Sequence, residues 1–364
     1  MPDKNKFAYL NALNKINGVG PQKMRKLMAY FGSPEKIWNA PLEALAASGV
    51  GEALAGKISA QRSKIDPAQE WLRLEKENIR MIIETDDAYP RLLREIPTAP
   101  YILYMKGEID LNAPMVSIVG SRKHTSYGSQ AAYAFAKGLA KAGITVVSGM
   151  AYGIDSIAHR GALDGGGKTI AVLGDSLDDK HIYPASNFRL SQEIAASGCL
   201  LSDYPVETPA GIPGNFPARN RIIAGLSSGT LVIEAGEKSG TLITSSLALE
   251  FNREVFAVPG SIFSPQSLGT NDLIRKGAKT VTGVKDILEE LNLEEKSEKS
   301  PAPAKIPSSP EEEAILHILS GDPVHIDNIS KASKLGTAAV ASALAMMEIK
   351  GWVRNIGGQN YILT

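Results

Sequence analysis

The sequence predicts an α/β chain built on a doubly wound, mostly parallel sheet, with a helical domain before it and a winged-helix domain after it. Three observations carry this expectation. From residue 115, short apolar runs alternate with helical stretches. Ahead of them, two similar glycine turns sit among helical patterns. Behind them, a charged, Pro/Ser-rich stretch gives way to three helical patterns and a hairpin.

The chain has 364 residues, which suits two or three domains rather than one. Hydrophobic residues make up 43%, enough for sizeable cores. Lys+Arg and Asp+Glu both number 39, so the formal net charge is +0. Any anion-binding surface must then be a local patch. The single cysteine, Cys199, cannot form an internal disulfide, and its apolar setting "CLLSDY" suits a buried, reduced thiol. There is no signal-type apolar run at the start and no run of eighteen apolar residues. These absences predict a cytoplasmic protein with no membrane partner.

Residues 1–75 carry "INGVGPQKMRKLMAYFG" and "ASGVGEALAGKISAQ", each with Gly-Val-Gly before a helical pattern. In the first, Met24, Leu27, Met28 and Phe31 recur at helical spacing. This is the pattern of a helix-hairpin-helix (SAM-like) domain. It suits a packing module or a hairpin whose amides approach phosphates. Residues 76–114 form a connecting segment with two short strands, "IRMIIETD" and "YILYMKGE". Over 115–290 the apolar runs VSIVG, TVVSG, TIAVLG, CLLSDY, TLVIEA, EVFAVPG and the short TVTG alternate with helices. Near-continuous apolar strands separated by helices predict a parallel sheet covered on both faces, a Rossmann-like domain. Residues 291–312 read as a flexible linker. Residues 313–364 read helix, helix, helix and a hairpin turning at Gly357-Gly358, a winged helix. Its would-be recognition helix, "GTAAVASALAMMEI", has no lysine or arginine. That suits packing or a protein partner better than base readout.

In such a sheet, ligands bind on the loops leaving the carboxyl ends of the strands. Five clusters fall there: "GSRKHTSYG", "SGMAYGID", "NFPARNRIIAGLSSG", "EAGEKSGTLIT" and "VPGSIFSPQSLGTN". Gly120 permits a tight turn, and Ser121 and Arg122 add donors suited to phosphate oxygens. Lys238, Ser239 and Gly240 precede another helix start. Together the five loops point to an extended polyanion or a nucleotide. "ALDGGGKT" matches a relaxed P-loop pattern but lies between a helix and a strand, on the opposite rim, so it is excluded as a phosphate cradle. No motif for nucleophilic or metal catalysis is present. His159 is expected to be a satisfied structural histidine, and Asp155 and Glu234 to hold rim arginines or cap helices.

The stretch 215–229 stands out. Arg219 and Arg221 lie near a helix start, where the dipole already disfavours cations. Pro217 should push Phe216 into an extended conformation at the lip of the sheet. The two arginines, two residues apart, cannot share one helix face. One is expected to reach a phosphate, and the other to touch a neighbouring phosphate or brace the rim's acids.

These motifs in order, with "FAVPGSIFSPQSLGTNDLI", resemble the DNA-processing protein A family (DprA, also called Smf). The match spans roughly 115–290, and the flanking domains fit it. The resemblance implies a non-enzymatic protein, without cofactor or metal, that binds single-stranded DNA. It also implies protection of incoming strands during natural transformation, loading of the RecA recombinase, and homodimers formed through the Rossmann-like domain. Carried onto this chain, the DNA-binding residues would be Gly120, Ser121, Arg122, Phe216, Arg219, Asn220, Arg221, Lys238, Ser239 and Gly240. Some family members carry a lysine just before the phenylalanine. Here the stretch reads "PAGIPGNF", which makes the pocket less basic. Two other readings of the residues stand beside this one: an enzyme acting on a small nucleotide at the same rim, with Glu234 as its acid, and a scaffold using its outer domains.

Overall fold

The computed structural model describes residues 4–293, 307–319, 324–355 and 357–363. The chain divides into two compact units, Met1–Ser297 and Glu298–Thr364. Most of the predicted linker lies outside the described residues.

In the first unit the apolar runs form strands β1 (Arg80–Ile83), β2 (Ile102–Gly107), β3 (Met115–Val119), β4 (Thr145–Ser148), β5 (Thr169–Val172), β6 (Cys199–Ser202), β7 (Gly229–Val232), β8 (Glu254–Ala257) and β9 (Lys279–Thr280). Among the described residues these make one sheet in the order β1-β2-β6-β5-β4-β3-β7-β8-β9. From β6 to β9 neighbouring strands pair in parallel. The strands of the connecting segment add to the β6 edge as an antiparallel pair. Strands β3 to β6 are laid down in one direction and β7 to β9 in the other, so the order reverses between β3 and β7.

Both faces are covered because successive side chains point to opposite sides. Val119, Val147, Val172 and Val232 pack with Ile222, Ile223 and Ala248 on one face. On the other, Val116, Ile118 and Val146 meet Ala132, Phe135, Leu139 and Ala158. The same side nearer β6 receives the N-terminal helices. Leu10, Leu13, Leu27 and Ile58 share a core with Ala171, Leu190 and Leu200. Tyr104 on β2 donates to Asn11 Oδ1 at 2.8 Å, and Asn14 donates to the Tyr104 hydroxyl at 3.1 Å. Cys199 is buried, and burial pushes its thiol up to about 12.

The glycine turns of the N-terminal segment precede helices Pro21–Phe31 and Glu52–Arg62. Gly18 and Gly51 have φ of +99° and +93°, a region an L side chain rarely adopts. The cations beside the turns are used internally. Lys23 donates to the Val50 carbonyl at 3.0 Å. Arg25 grips Glu84 through two bonds of 2.7 and 2.8 Å. The "ALDGGGKT" glycines are packing residues: a Cβ on Gly165 or Gly167 would press on Lys137 O or on Ala140. They let the helix Ile154–Asp164 close on the helix Ser126–Lys141 at the amino end of β5.

The second unit holds helices Pro310–Leu316, Ile326–Ser333 and Thr337–Ile349 with β10 (Val324–His325), β11 (Val353–Asn355) and β12 (Asn360–Leu363). The strand order is β10-β12-β11. Ile315, Ile329, Val340, Leu344 and Met347 form its core. Ser309 caps the first helix, with Pro310 at its first position. Glu312 pairs with Lys350 at 2.6 Å. On the third helix Met346 and Ile349 are exposed.

Candidate nucleic-acid interface

Where the strand order reverses, the carboxyl-end loops part and leave a cleft of about 830 Å³. Gly120, Ser121, Arg122 and Lys123 come to it from β3, and Ala151 and Asp155 from β4. Phe216, Arg219 and Asn220 come from the helix Asn215–Leu226, and Lys238, Ser239 and Gly240 from the loop after β7. Nine of the ten predicted residues thus meet at one cleft. Arg221 does not line it.

Close approach builds the cleft. A Cβ on Gly120 would lie 2.6 Å from Ile154, and one on Gly149 would lie 2.6 Å from the Arg219 guanidinium. Ser121 donates its N–H to the Glu234 carbonyl at 2.8 Å, and its hydroxyl accepts from Lys123 N at 3.0 Å. Ser239 accepts from Thr241 N at 3.2 Å, in the turn just before the helix Thr241–Glu250. The first turns of the helices Asn215–Leu226 and Thr241–Glu250 line the cleft, each bringing the partial positive charge of a helix N-terminus.

The arginines of the 215–229 stretch correct the sequence expectation. Arg219 is 3% exposed. Its Nη1 donates to the Gly149 carbonyl at 2.8 Å and to the Val172 carbonyl. It closes the carboxyl ends of β4 and β5 from beneath the cleft. Arg221 turns the other way. It pairs with Asp203 at 2.6 Å and donates to Thr98 O at 2.9 Å. Both guanidinium groups brace strand ends and loops, and these bonds offset the unfavourable helix dipole. Phe216 is also corrected: it lies inside the first helical turn rather than in an extended lip. Pro217 is tolerated after it because the first-turn amides lack helical partners anyway.

The groups left facing solvent are different ones. Among the described residues, Arg122, Lys123 and Lys238 make no salt bridge and no side-chain hydrogen bond, and all three are exposed. The Arg122 guanidinium lies 5.8 Å from the centre of the Phe216 ring, within cation–π range. Behind Phe216 the Tyr183 ring packs at 5.5 Å. The one carboxylate lining the cleft, Asp155, is buried. Burial raises its pKa, opposed chiefly by Arg219. Lys123 and Tyr183 were not singled out from sequence. Lys123 adjoins Arg122 and was open to inference. Tyr183 lies 33 positions from Phe216 on another loop, and no local pattern marks it.

The remaining candidates are structural. The Glu234 carboxylate is 1% exposed and accepts from Thr125 N at 2.9 Å and Thr125 Oγ1 at 2.6 Å. It anchors the start of the helix Ser126–Lys141 and does not line the cleft. His159 is buried, with Nδ1 2.7 Å from Thr169 Oγ1, but its Nε2 has no hydrogen-bond partner among the described residues, so the expected satisfied histidine is satisfied at one nitrogen only. Burial, then the Arg219 charge, holds its pKa down to about 3, so the ring is neutral. Asp175, on the loop after β5, is 1% exposed with neither carboxylate oxygen bonded. Burial raises its pKa to about 7 against the pull of Arg219. Among the described residues no cluster suits a metal ion, and no helix is long and apolar enough to cross a membrane.

A family model described as DNA recombination-mediator protein A matches residues 80–292, and a DprA winged helix domain model matches residues 299–359. Protein Smf of Synechocystis is 36% identical over 392 aligned positions, covering 97% of this chain and 98% of that protein. DNA processing protein DprA of Streptococcus pneumoniae is 47% identical over 208 positions, covering 57% of this chain and 72% of its own. The X-ray structure of DprA from Streptococcus pneumoniae superposes with a TM-score of 0.68 at 38% identity, over 78% of this chain and 97% of that one. A Helicobacter pylori DNA processing protein A, whose single-stranded-DNA binding mode has been described structurally, gives 0.53 at 33% identity, over 59% of this chain and 95% of its own. With a mostly parallel sheet, a winged helix and these matches along nearly its whole length, the chain belongs to the DNA recombination-mediator protein A (DprA/Smf) family.

Proposed function

We propose that this protein is a cytoplasmic, single-stranded-DNA-binding recombination mediator that protects incoming strands and loads the RecA recombinase during natural transformation. It acts as a homodimer formed through the Rossmann-like domain and performs no catalytic step. One observation carries the DNA reading: three exposed cations, without salt bridges among the described residues, share with Phe216 a cleft of about 830 Å³ in a chain of net charge +0, and Arg122 lies over the Phe216 ring. Cations that track a backbone beside an aromatic that stacks a base are the elements of sequence-tolerant single-strand binding. The Helicobacter pylori relative supports the ligand class.

Phosphates lie against Arg122, Lys123 and Lys238, with Gly120, Ser121, Ser239 and Gly240 forming the loops that let the backbone approach. Phe216 stacks a base. Arg219 supplies fixed positive charge beneath, Asn220 faces the same cleft, and Arg221 holds the helix in place. The test is fluorescence anisotropy of labelled oligo-dT and of a duplex across a salt series. Oligo-dT binds more tightly than duplex. Arg122→Ala weakens it and flattens the log–log salt slope by about 0.7, one phosphate contact on a single strand. Phe216→Ala weakens it and leaves the slope unchanged. Parental binding by both variants would refute the assignment.

A further inference from the structure

We propose that Tyr183, which packs on Phe216 just outside the cleft lining, is a second base-stacking platform, so that the strand leaves the cleft with one base on Phe216 and the next on Tyr183. The inference rests on the single-strand reading above and adds to it a second base site on a different loop.

Three flat groups from three different strand ends meet at Phe216. Arg122 follows β3, Tyr183 follows β5 and Phe216 follows β6. Arg122 lies 5.8 Å from the Phe216 ring, and Tyr183 lies 5.5 Å from it on a 42° tilt. Tyr183 is 39% exposed, and among the described residues its hydroxyl makes no hydrogen bond. A tyrosine kept for packing normally buries its ring and satisfies its hydroxyl. Here the ring is left partly open against Phe216, whose own ring carries the exposed Arg122, so a base on Tyr183 adjoins a stacking site that already has a cation.

The spacing says how the strand would lie. Bases stacked in a helix are about 3.4 Å apart along one strand. Ring centres 5.5 Å apart and tilted by 42° cannot receive two bases that remain stacked on each other. Each base must pack on its own ring, so the strand is held extended, its phosphates toward Arg122, Lys123 and Lys238. A duplex cannot present its bases this way, and the arrangement accordingly selects against double strands.

The test uses the full chain and labelled oligo-dT, intact or carrying a single abasic site walked along the strand. Tyr183→Phe keeps parental affinity. Tyr183→Ala and Tyr183→Leu weaken it roughly 5- to 150-fold, the range one stacked base is worth. In the parent, two neighbouring abasic positions weaken binding. In Tyr183→Ala one of the two loses its effect, and in Phe216→Ala the other does. Parental binding by both Tyr183→Ala and Tyr183→Leu, with Phe216→Ala impaired, overturns the inference and leaves the single-strand reading standing. So does weakening in which both abasic positions keep their effect, since Tyr183 would then only support Phe216. Failure of the parent to bind oligo-dT overturns both.

Discussion

Replacing Arg219 by leucine should unfold the cleft rather than merely disarm it. The guanidinium is 3% exposed, holds the Gly149 and Val172 carbonyls, and is the cation that opposes the burial of Asp155 and Asp175. Leucine fills part of the volume but leaves two strand-end carbonyls without their donor and two buried carboxylates without their compensating charge. Removing one partner of a buried charged pair costs about 3–5 kcal/mol. At about 2.1 cal/mol/K of unfolding entropy per residue, each kcal/mol lowers the Tm of the unit Met1–Ser297 by about 1.6 °C, so the loss should be roughly 5–8 °C. The deficit should depend on pH, because the abandoned carboxylates can escape by protonation. Both already have raised pKa values, Asp175 at about 7. The difference from the parent should therefore be largest at mildly alkaline pH and shrink on acidification. Differential scanning calorimetry across that range measures it, with Arg122→Leu as the control. An exposed cation resting on the face of the Phe216 ring should change stability by only about 0.5 kcal/mol. If Arg219→Leu melts with the parent at every pH while oligo-dT binding is lost, Arg219 is a ligand and not a brace, and the reasoning fails.

Other consequences follow from the same structure. Asp175→Asn should flatten the pH dependence of stability. A carboxyl whose folded pKa of about 7 lies above its unfolded value of 3.8 stabilises below the lower figure and loses that contribution as pH rises through the higher. The full span is about 4 kcal/mol, so the variant should melt above the parent in alkaline buffer. Thr125→Ala removes both a helix cap and the side-chain donor to buried Glu234; it should cost about 2–4 kcal/mol in chemical denaturation, and no loss would show that Glu234 is satisfied elsewhere. In the second unit, Lys350→Met breaks the pair with Glu312. The Lys350 bond is the main influence lowering the Glu312 pKa, so the pair stabilises above the ordinary glutamate range and fades as pH falls through the lowered value. The variant's melting deficit should then be present at neutral pH and vanish in acid.

The alternation of strand and helix was legible because a strand buried on both faces must be apolar almost throughout. VSIVG, TIAVLG and TLVIEA could serve little else. The cleft was legible for a related reason: loops at the carboxyl ends of parallel strands share a rim, so residues 120, 216 and 238 could be brought together without knowing a single contact. The direction of a long side chain was not legible. Arg219 and Arg221 advertise charge at a helix start, but their acceptors at Gly149, Val172, Thr98 and Asp203 come from distant parts of the chain. A charge that breaks the dipole rule at a helix start can therefore serve carbonyls that the parallel sheet leaves open at its end. Phe216 was misread for a different reason. The restriction that proline imposes on the residue before it is a bias, and it yields where the first helical turn has no amide to lose. Tyr183 shows the remaining limit, since its partner ring lies on another loop and only the strand order makes them neighbours.

The division of labour among the arginines explains how a neutral chain can hold a polyanion. A carboxylate at the rim would neutralise the cations that phosphate must find, yet the carboxyl ends of parallel strands present carbonyls that need a donor. Placing Arg219 below the rim satisfies the carbonyls and offsets Asp155, which leaves Arg122, Lys123 and Lys238 without a salt bridge among the described residues. Two helix N-termini add positive potential from the same side. Such a rim repels itself when empty, and an anion that binds only the folded form relieves it. The stabilisation then rises with ligand concentration above Kd. Losses of stability and of binding should therefore separate by depth. Changes beneath the cleft lower Tm and carry binding down with them. Changes at its rim leave the empty protein's Tm in place and abolish the upward shift that oligo-dT produces in the parent. A rim substitution that lowered the melting of the empty protein as much as a floor substitution does would contradict this arrangement.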